Sequence, residues 1–213
     1  MPLNSTPAAV RRLVLASGNA GKLRELRELF AGLPFALVGQ DELGIAGAAE
    51  TGATFLANAV QKARHAAAAS GLGALADDSG LEVDALGGAP GVHSARYAGS
   101  PTDDAANNAK LIAALRGIPA AARTARYRCV LVLLPAAAAA GSGATEAPIV
   151  AEGVWEGLIV DEPRGSGGFG YDAHFWLPEL KMTAAELSRD SKNQRSHRGA
   201  ALRALLAALA NRP

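Results

Sequence analysis

Short apolar runs alternate with longer amphipathic stretches along most of the chain. The first apolar run covers residues 13–16 and ends at Ser17, a pattern that predicts a buried strand leading into a turn. An amphipathic helix is predicted over residues 23–30, because apolar side chains recur there at helical spacing with charged residues between them. Gly32 and Pro34 end this helix.

Four more segments have the pattern of helices. Residues 54–70 begin with a threonine suited to an N-cap and end before a glycine, and residues 102–115 begin with Thr-Asp-Asp. A short helix is predicted over residues 183–189, and a final amphipathic helix over residues 196–210.

Strand-like segments lie between these helices. Residues 74–76 and 81–84 predict two strands separated by a sharp turn at residues 77–80. Residues 126–134 alternate and then become wholly apolar, as in a central strand, and residues 149–160 supply one or two more strands. This alternation of strands and helices favours an α/β fold.

Two segments lie outside this pattern. Residues 1–10 predict a loose N-terminus, and residues 135–148 are a low-complexity stretch of alanines followed by Gly-Ser-Gly. We expect the second segment to be an elongated, mobile hairpin loop between two strands. We therefore expect residues 11–210 to form a single domain, since a chain of 213 residues commonly contains one domain.

Composition narrows the function classes. The formal net charge of +1 argues against the broad basic field of a nucleic-acid-binding protein. Cys129 is the only cysteine, which excludes an internal disulfide and favours a reducing cytoplasm. No segment has the length and apolar character of a signal peptide or a membrane span, so we expect a cytoplasmic protein.

Two stretches approach known phosphate-binding motifs. Residues 18–23 follow a strand and open a helix, but they lack the spacing and the Ser or Thr of a P-loop. The helix N-terminus and Lys22 could still form an anion cradle, although a tight turn with a solvated lysine would look the same. Residues 165–170 match G-x-G-x-x-G, but an extended segment follows, so we reject a Rossmann site.

Acidic residues form a second candidate site. Asp77 and Asp78 are adjacent, and such carboxylates can hold a divalent ion, with Glu50 as a further ligand. The alternative is an acid-rich turn with Gly80 at positive φ. On the helix of residues 54–70, Asn58 and Lys62 share one face, which also fits two exposed polar residues.

A third cluster combines aromatic and basic residues. Residues 169–172 contain Phe and Tyr beside backbone donors and an aspartate, which can stack on a purine and bind its edge. Lys192 and residues 196–198, Ser-His-Arg, can hold a phosphate or a keto oxygen. A polar loop next to an arginine-rich helix start is the alternative.

Taken together, five ordered motifs resemble those of the dITP/XTP pyrophosphatase family, whose members are similar to inosine triphosphate pyrophosphatase. The matching segments are residues 17–25, 50–63, 76–99, 163–172 and 192–198. The resemblance implies an α/β fold, built as a bilobed single domain with a long mixed central sheet flanked by helices and a cleft between the lobes. It also implies a homodimer and the Mg²⁺-dependent hydrolysis of dITP, ITP and XTP to the monophosphate and pyrophosphate.

The resemblance also implies roles for individual residues. Asp78 would be the essential acidic residue of catalysis, as a metal ligand or as the general base for water, and Glu50 would help to hold Mg²⁺. Binding of the triphosphate would fall to Ser17, Gly18, Asn19, Ala20, Gly21 and Lys22. The remaining substrate contacts would come from Ser79, Phe169, Gly170, Tyr171, Asp172, Lys192, His197 and Arg198.

Some positions depart from the family pattern. Ala57 stands where the family commonly has Glu, which removes one acidic residue near the metal, and His93 stands where Tyr is frequent. Ala173 follows Asp172 where Pro is usual. Two alternatives remain at this stage: a pyrophosphatase with a different base preference, and a nucleotide-binding module without catalysis.

Overall fold

A seven-stranded mixed sheet forms the centre of the computed structural model, which describes residues 10–136 and 147–211. Its strands are β1 (Arg11–Ala16), β2 (Phe35–Gly39), β3 (Gly73–Val83), β4 (Thr124–Leu134), β5 (Ile149–Ile159), β6 (Phe175–Leu177) and β7 (Met182–Thr183). They are arranged in the order β2-β1-β3-β4-β5-β6-β7. The β1 strand pairs in parallel with β2 and β3, and all later neighbours pair antiparallel.

Five α-helices accompany the sheet within the described ranges. They are α1 (Ala20–Leu29), α2 (Phe55–Ser70), α3 (Asp104–Ala114), α4 (Arg189–Arg195) and α5 (His197–Ala210). Helices α1 and α5 pack on one face of the sheet in a cluster with Leu26 and Leu205, and α2 covers the other face through Ala59 and Ala63.

Alternate residues of the central strands enter opposite core clusters. In β1, Leu13 and Leu15 pack toward α1 and α5, whereas Val14 packs toward α2. In β4, Leu131 and Val132 divide in the same way. Because both faces are covered, these strands are almost continuously apolar, as the sequence pattern predicted.

A third hydrophobic core cluster is separate from the two that pack on β1. It contains Leu111 of α3, Tyr127, Tyr171 and Phe175. A cleft lies at its border, lined by residues of α1, β3, α3 and α5 and of the 169–172 loop. The fold is therefore the α/β architecture with a long mixed sheet that was expected from the sequence.

Several predicted elements were confirmed and two were wrong. The helices at residues 54–70 and 196–210 match α2 and α5, with Thr54 and Ser196 as N-caps. The short helix predicted at residues 183–189 is instead the end of β7, a single 3₁₀ turn and the start of α4. Strand β2 was not predicted from the sequence.

The predicted sharp turn at residues 77–80 is the second error. Strand β3 runs through it without interruption, and Asp77 and Asp78 pair with Leu131 and Val130 of β4. The carboxylates are tolerated inside the sheet because cations reach them from neighbouring elements, as described below. The predictions for residues 1–10 and 135–148 fall largely on residues 1–9 and 137–146, which lie outside the described ranges.

Candidate active site

Asp77 is fully buried at the centre of the site. Its carboxylate is 2.7 Å from the Lys22 ammonium and 3.0 Å from Nε of Arg198, and it accepts hydrogen bonds from Ser79 Oγ (2.8 Å) and Cys129 Sγ (3.2 Å). Burial disfavours the charged form, but Lys22 and Arg198 outweigh it and hold the pKa of Asp77 well below its usual value. Asp77 therefore stays ionised and joins α1, β3, β4 and α5.

The start of α1 has the backbone geometry of an anion-binding turn. Asn19 caps the helix by accepting a hydrogen bond from Lys22 N at 3.0 Å, and Ser17 Oγ accepts one from Asn19 N at 3.2 Å. The first turn of α1 carries no acidic side chain, so its positive dipole end faces the cleft beside Lys22.

Asp78 lies on the opposite face of β3 from Asp77, against α2. Its Oδ1 is 2.6 Å from Nζ of Lys62, and its Oδ2 accepts a hydrogen bond from Asn58 Nδ2 at 3.4 Å. Burial raises the pKa of Asp78 even though Lys62 opposes this effect. Asn58 and Lys62, which could have been exposed helix residues, are instead both buried.

Glu50 meets the same lysine from the loop before α2. One carboxylate oxygen is 3.1 Å from Lys62 Nζ, and the other is 2.8 Å from Nη1 of Arg96. Burial works against ionisation of Glu50, but these two cations lower its pKa. Glu50 and Asp78 thus present their carboxylates to one shared ammonium group.

The donor chemistry of this pair suits a magnesium ion. The residues described by the structure contain no group of three or more His, Cys, Asp or Glu side chains arranged to hold a metal. However, Mg²⁺ in nucleotide sites is commonly held by one or two carboxylates together with substrate phosphates and water. Glu50 and Asp78 could supply those carboxylates, with Lys62 balancing their charge when no ion is bound.

A second charged network lies at the other end of the cleft. Glu25 of α1 is 2.6 Å from Nζ of Lys192 and 2.8 Å from Nη1 of Arg198, and Asp172 is also 2.6 Å from Lys192. All four side chains are buried. Burial opposes ionisation of Glu25, but Arg198 and Lys192 lower its pKa, so the carboxylate fixes the spacing of the two cations.

The Phe169 ring lies against the second of these networks. The cationic groups of Lys192 and Arg198 each lie 5.3 Å from its centroid, within the range of a cation–π contact. A Cβ added to Gly21 would lie 2.7 Å from the ring, so only glycine leaves room for Phe169 beside the first turn of α1. The turn at the start of α1 and the aromatic loop therefore pack directly against each other.

His197 is held neutral by its surroundings. Its ring stacks on Tyr127 with centroids 4.7 Å apart, and burial, reinforced by Arg198, lowers the pKa of His197 well below its usual value. Its Nδ1 is buried without a hydrogen-bond partner in the described residues. Gly153 of β5 permits this placement, because a Cβ there would overlap the carbonyl of His197.

The cleft brings most of the predicted substrate residues together. Asn19, Lys22, Ser79, Phe169, Gly170, Tyr171, Asp172, His197 and Arg198 all line it. The hydroxyl of Tyr171 is already bound within the protein, however, since it donates to the carbonyl of Ser94 at 2.7 Å. Glu50 and Asp78 are not among the residues that line the cleft. They lie on the α2 side of β3, where both are paired with Lys62.

Comparison with known proteins identifies the family. The model of the Ham1 family matches residues 13–208, which is most of the chain. The chain belongs to the Ham1 family. A dITP/XTP pyrophosphatase of Xanthomonas oryzae pv. oryzae is 57% identical over 196 residues, covering 92% of this chain and 96% of that protein. A dITP/XTP pyrophosphatase of Thioalkalivibrio sulfidiphilus is 54% identical over 201 residues, covering 94% and 100%.

Solved structures of Ham1 proteins share the fold. A HAM1 protein from Coxiella burnetii has a TM-score of 0.82 and 45% identity, covering 95% of this chain and 100% of that one. The Ham1 protein of Staphylococcus aureus has a TM-score of 0.78 and 38% identity, covering 94% and 98%. In the described part of this Ham1 chain, no helix has the length and apolar character required to cross a membrane.

Sequence reasoning missed several residues of this Ham1 site. Glu25 was placed on the charged face of an amphipathic helix and at the end of the first matching segment, but it was given no role in the site, and Arg96 and Tyr127 were not singled out. Glu25 follows the glycine-lysine turn by three residues, so it lies one helical turn from Lys22 and on the same side of α1. That spacing could have indicated it.

Proposed function

We propose that this chain hydrolyses the non-standard purine triphosphates dITP, ITP and XTP to the nucleoside monophosphate and pyrophosphate. The names of its relatives, dITP/XTP pyrophosphatases at 54% and 57% identity over nearly the whole chain, support this activity. The structural observation that carries the proposal is Asp77, which joins Lys22 at the phosphate-binding turn to Arg198 at the aromatic loop.

The triphosphate binds at the start of α1. The backbone N–H groups at the N-terminus of α1, the positive end of the helix dipole and the Lys22 ammonium offset the phosphate charge. Lys22 is held at 2.7 Å from Asp77, so its position is set before the nucleotide arrives. Preorganised charge of this kind is the main protein contribution to phosphoryl transfer.

Asp78 acts on the attacking water. A water oxygen forms a bond to phosphorus, the anhydride bond between the α- and β-phosphates breaks, and its electron pair leaves with pyrophosphate. Asp78 accepts the proton that the water loses, a step favoured by its raised pKa. Lys62, at 2.6 Å, holds the carboxylate in place.

We propose Mg²⁺ as the cofactor, held by Glu50 and Asp78. The two carboxylates converge on one ammonium group, and their oxygen donors are those that Mg²⁺ prefers. When bound, the ion would neutralise phosphate charge during hydrolysis.

The base is selected at the other end of the cleft. Phe169 offers a ring face for stacking, and Lys192, His197 and Arg198 surround it with hydrogen-bond donors. Donors aimed at a 6-keto oxygen accept hypoxanthine and xanthine but meet another donor when the base is adenine. A buried donor left unpaired in this way is costly, which gives the discrimination.

We further propose a cytoplasmic homodimer. The single buried thiol, Cys129, supports a reducing compartment, and the family resemblance supports the dimer. Light scattering of the purified protein would give twice the chain mass of 21.6 kDa, whereas a monomer mass would reject the dimer.

Pyrophosphate release across a panel of nucleotides tests the function. With Mg²⁺, we expect rapid release from ITP, dITP and XTP and slow release from ATP, whose base has an amino group in place of the 6-keto oxygen. Preferred release from dUTP or a modified pyrimidine triphosphate would instead support a different base preference. Tight ITP binding without release would indicate a nucleotide-binding module.

A further inference from the structure

Helix α3 holds the aromatic loop from outside the charged networks. Oδ2 of Asp104, in the first turn of α3, accepts a hydrogen bond from Gly170 N at 2.8 Å. One turn later, Asn108 donates from Nδ2 to the carbonyl of Gly170 at 2.9 Å. Both polar groups of one loop residue are thus bound by side chains of a helix more than 60 residues earlier in the chain.

Gly170 needs such support because its own loop gives it little. Its φ is +62°, no atom lies within 4 Å of a Cβ built on it, and two further glycines of the loop, Gly165 and Gly168, also have positive φ. Glycine at positive φ loses much conformational freedom on ordering. The contacts from α3 therefore determine where this peptide lies.

The position of Gly170 sets the position of the base-binding groups. Phe169 precedes it, and Phe169 N donates to Asp172 Oδ2 at 2.8 Å, so Gly170 lies within a closed turn. Asp104 and Gly170 both line the cleft. Oδ1 of Asn108 is buried without a partner in the described residues, which indicates that the contact to Gly170 fixes this amide.

We infer that Asp104 and Asn108 are positioning residues for base recognition: α3 fixes the Gly170 peptide, and through it the Phe169 ring, at the distance from Lys192 and Arg198 that a 6-keto purine requires. This inference rests on the proposed function. It adds that purine selectivity depends on a helix that contributes no stacking ring and no cationic donor to the base.

Four variants separate positioning from simple helix stability. Asp104→Ala removes the acceptor for Gly170 N, whereas Asp104→Asn keeps an acceptor oxygen and should restore function. Asn108→Asp keeps the shape but places an acceptor against the Gly170 carbonyl. The matched control is Asp103→Ala, because Asp103 caps α3 through Ala106 N and does not touch the loop.

The kinetic experiment measures KM and kcat separately for ITP. It also gives the ratio of kcat/KM for ITP to kcat/KM for ATP. We expect Asp104→Ala and Asn108→Asp to raise KM for ITP about tenfold, as loss of a hydrogen bond to a charged or buried group does, and to lower the ITP/ATP ratio. Asp104→Asn should bring KM for ITP and the ITP/ATP ratio most of the way back to their wild-type values. Asp103→Ala removes a helix cap but no contact to Gly170, so both values should stay within about twofold of wild type.

Amide hydrogen exchange of the nucleotide-free protein provides a readout that does not need catalysis. Peptides covering residues 165–173 should exchange faster in Asp104→Ala and Asn108→Asp than in wild type or Asp103→Ala. If this occurs but wild type does not hydrolyse ITP, the proposed function fails and the positioning role of α3 stands. If exchange and ITP/ATP ratio are the same in Asp104→Ala, Asn108→Asp and the control, the inference is wrong.

Discussion

Arg198 and Asp77 are 121 positions apart in the chain and form a buried Nε–Oδ2 contact of 3.0 Å. The same guanidinium reaches Ser79 Oγ at 2.7 Å, and the same carboxylate reaches Lys22 at 2.7 Å. The lysine that we propose for phosphate binding and the arginine that we propose for base binding are thereby fixed relative to each other by one ionised aspartate. The distance between the two ends of the proposed nucleotide site is thus built into the core of the protein.

Replacing Asp78 with asparagine should abolish turnover without unfolding the protein. The amide is nearly isosteric but cannot accept the proton from water, so we expect kcat to fall on the order of 10³-fold. Pyrophosphate release gives kcat, and circular dichroism with thermal melting checks the fold. Asp84→Asn is the matched control, since Asp84 directly follows β3 but is exposed and paired with Arg126. Wild-type activity in Asp78→Asn would show that another group activates the water.

Replacing Glu25 with glutamine should destabilise the protein. The change removes the buried charge between Lys192 and Arg198, and breaking such a pair costs about 3 kcal/mol. Urea denaturation measures the free energy of unfolding. Glu28→Gln, on the same helix but partly exposed, should change it by less than about 0.5 kcal/mol. Equal effects of the two changes on the free energy of unfolding would mean that the ion pairs of Glu25 do not stabilise the protein.

The free energy of unfolding should depend on His197 below pH 6.5. The pKa of the imidazole in the folded protein is well below its usual value of 6.5, because of burial and the nearby Arg198. As pH falls through this range, the unfolded chain binds a proton that the folded state does not, so stability is lost with a limiting slope of about 1.4 kcal/mol per pH unit.

A comparison with His197→Asn isolates this effect. Urea denaturation of both proteins at pH 7.5 and 5.5 gives the difference in unfolding free energy at each pH. We expect wild type to lose about 1 kcal/mol relative to the variant between these values. A difference that stays constant with pH would mean that the folded histidine titrates normally.

Replacing Glu50 with glutamine should weaken the binding of the Mg²⁺ ion that activity requires. The variant keeps the size of the side chain but loses one of two carboxylates, and we expect the Mg²⁺ concentration for half-maximal activity to rise about tenfold or more. Titration calorimetry of Mn²⁺ without nucleotide gives a second measurement. Glu42→Gln, an exposed residue paired with Arg27, serves as the control. Unchanged metal affinity in Glu50→Gln would place the ion elsewhere.

Periodicity predicted the parts of this fold that depend on local chemistry. Strand β1 and helices α1, α2 and α5 were all found near the expected positions, because apolar spacing and N-caps such as Thr54 and Ser196 act over a few residues. The continuous strand through Asp77 and Asp78 could not be predicted in this way. In the sequence, its two aspartates have the pattern of a turn. In the structure, Lys22, Lys62 and Arg198 from other elements pair with the two carboxylates and allow them to lie inside the sheet.

The sequence by itself determined the fold class, the turn that leads into α1 and, through five ordered motifs, most of the residues that line the cleft. Only the tertiary structure decided which of them touch. It placed Glu25 between Lys192 and Arg198, Lys62 between Glu50 and Asp78, and α3 against Gly170. The physical reason is that ion pairs between distant segments depend on how helices pack on the sheet, and the spacing of residues along the chain does not specify that packing.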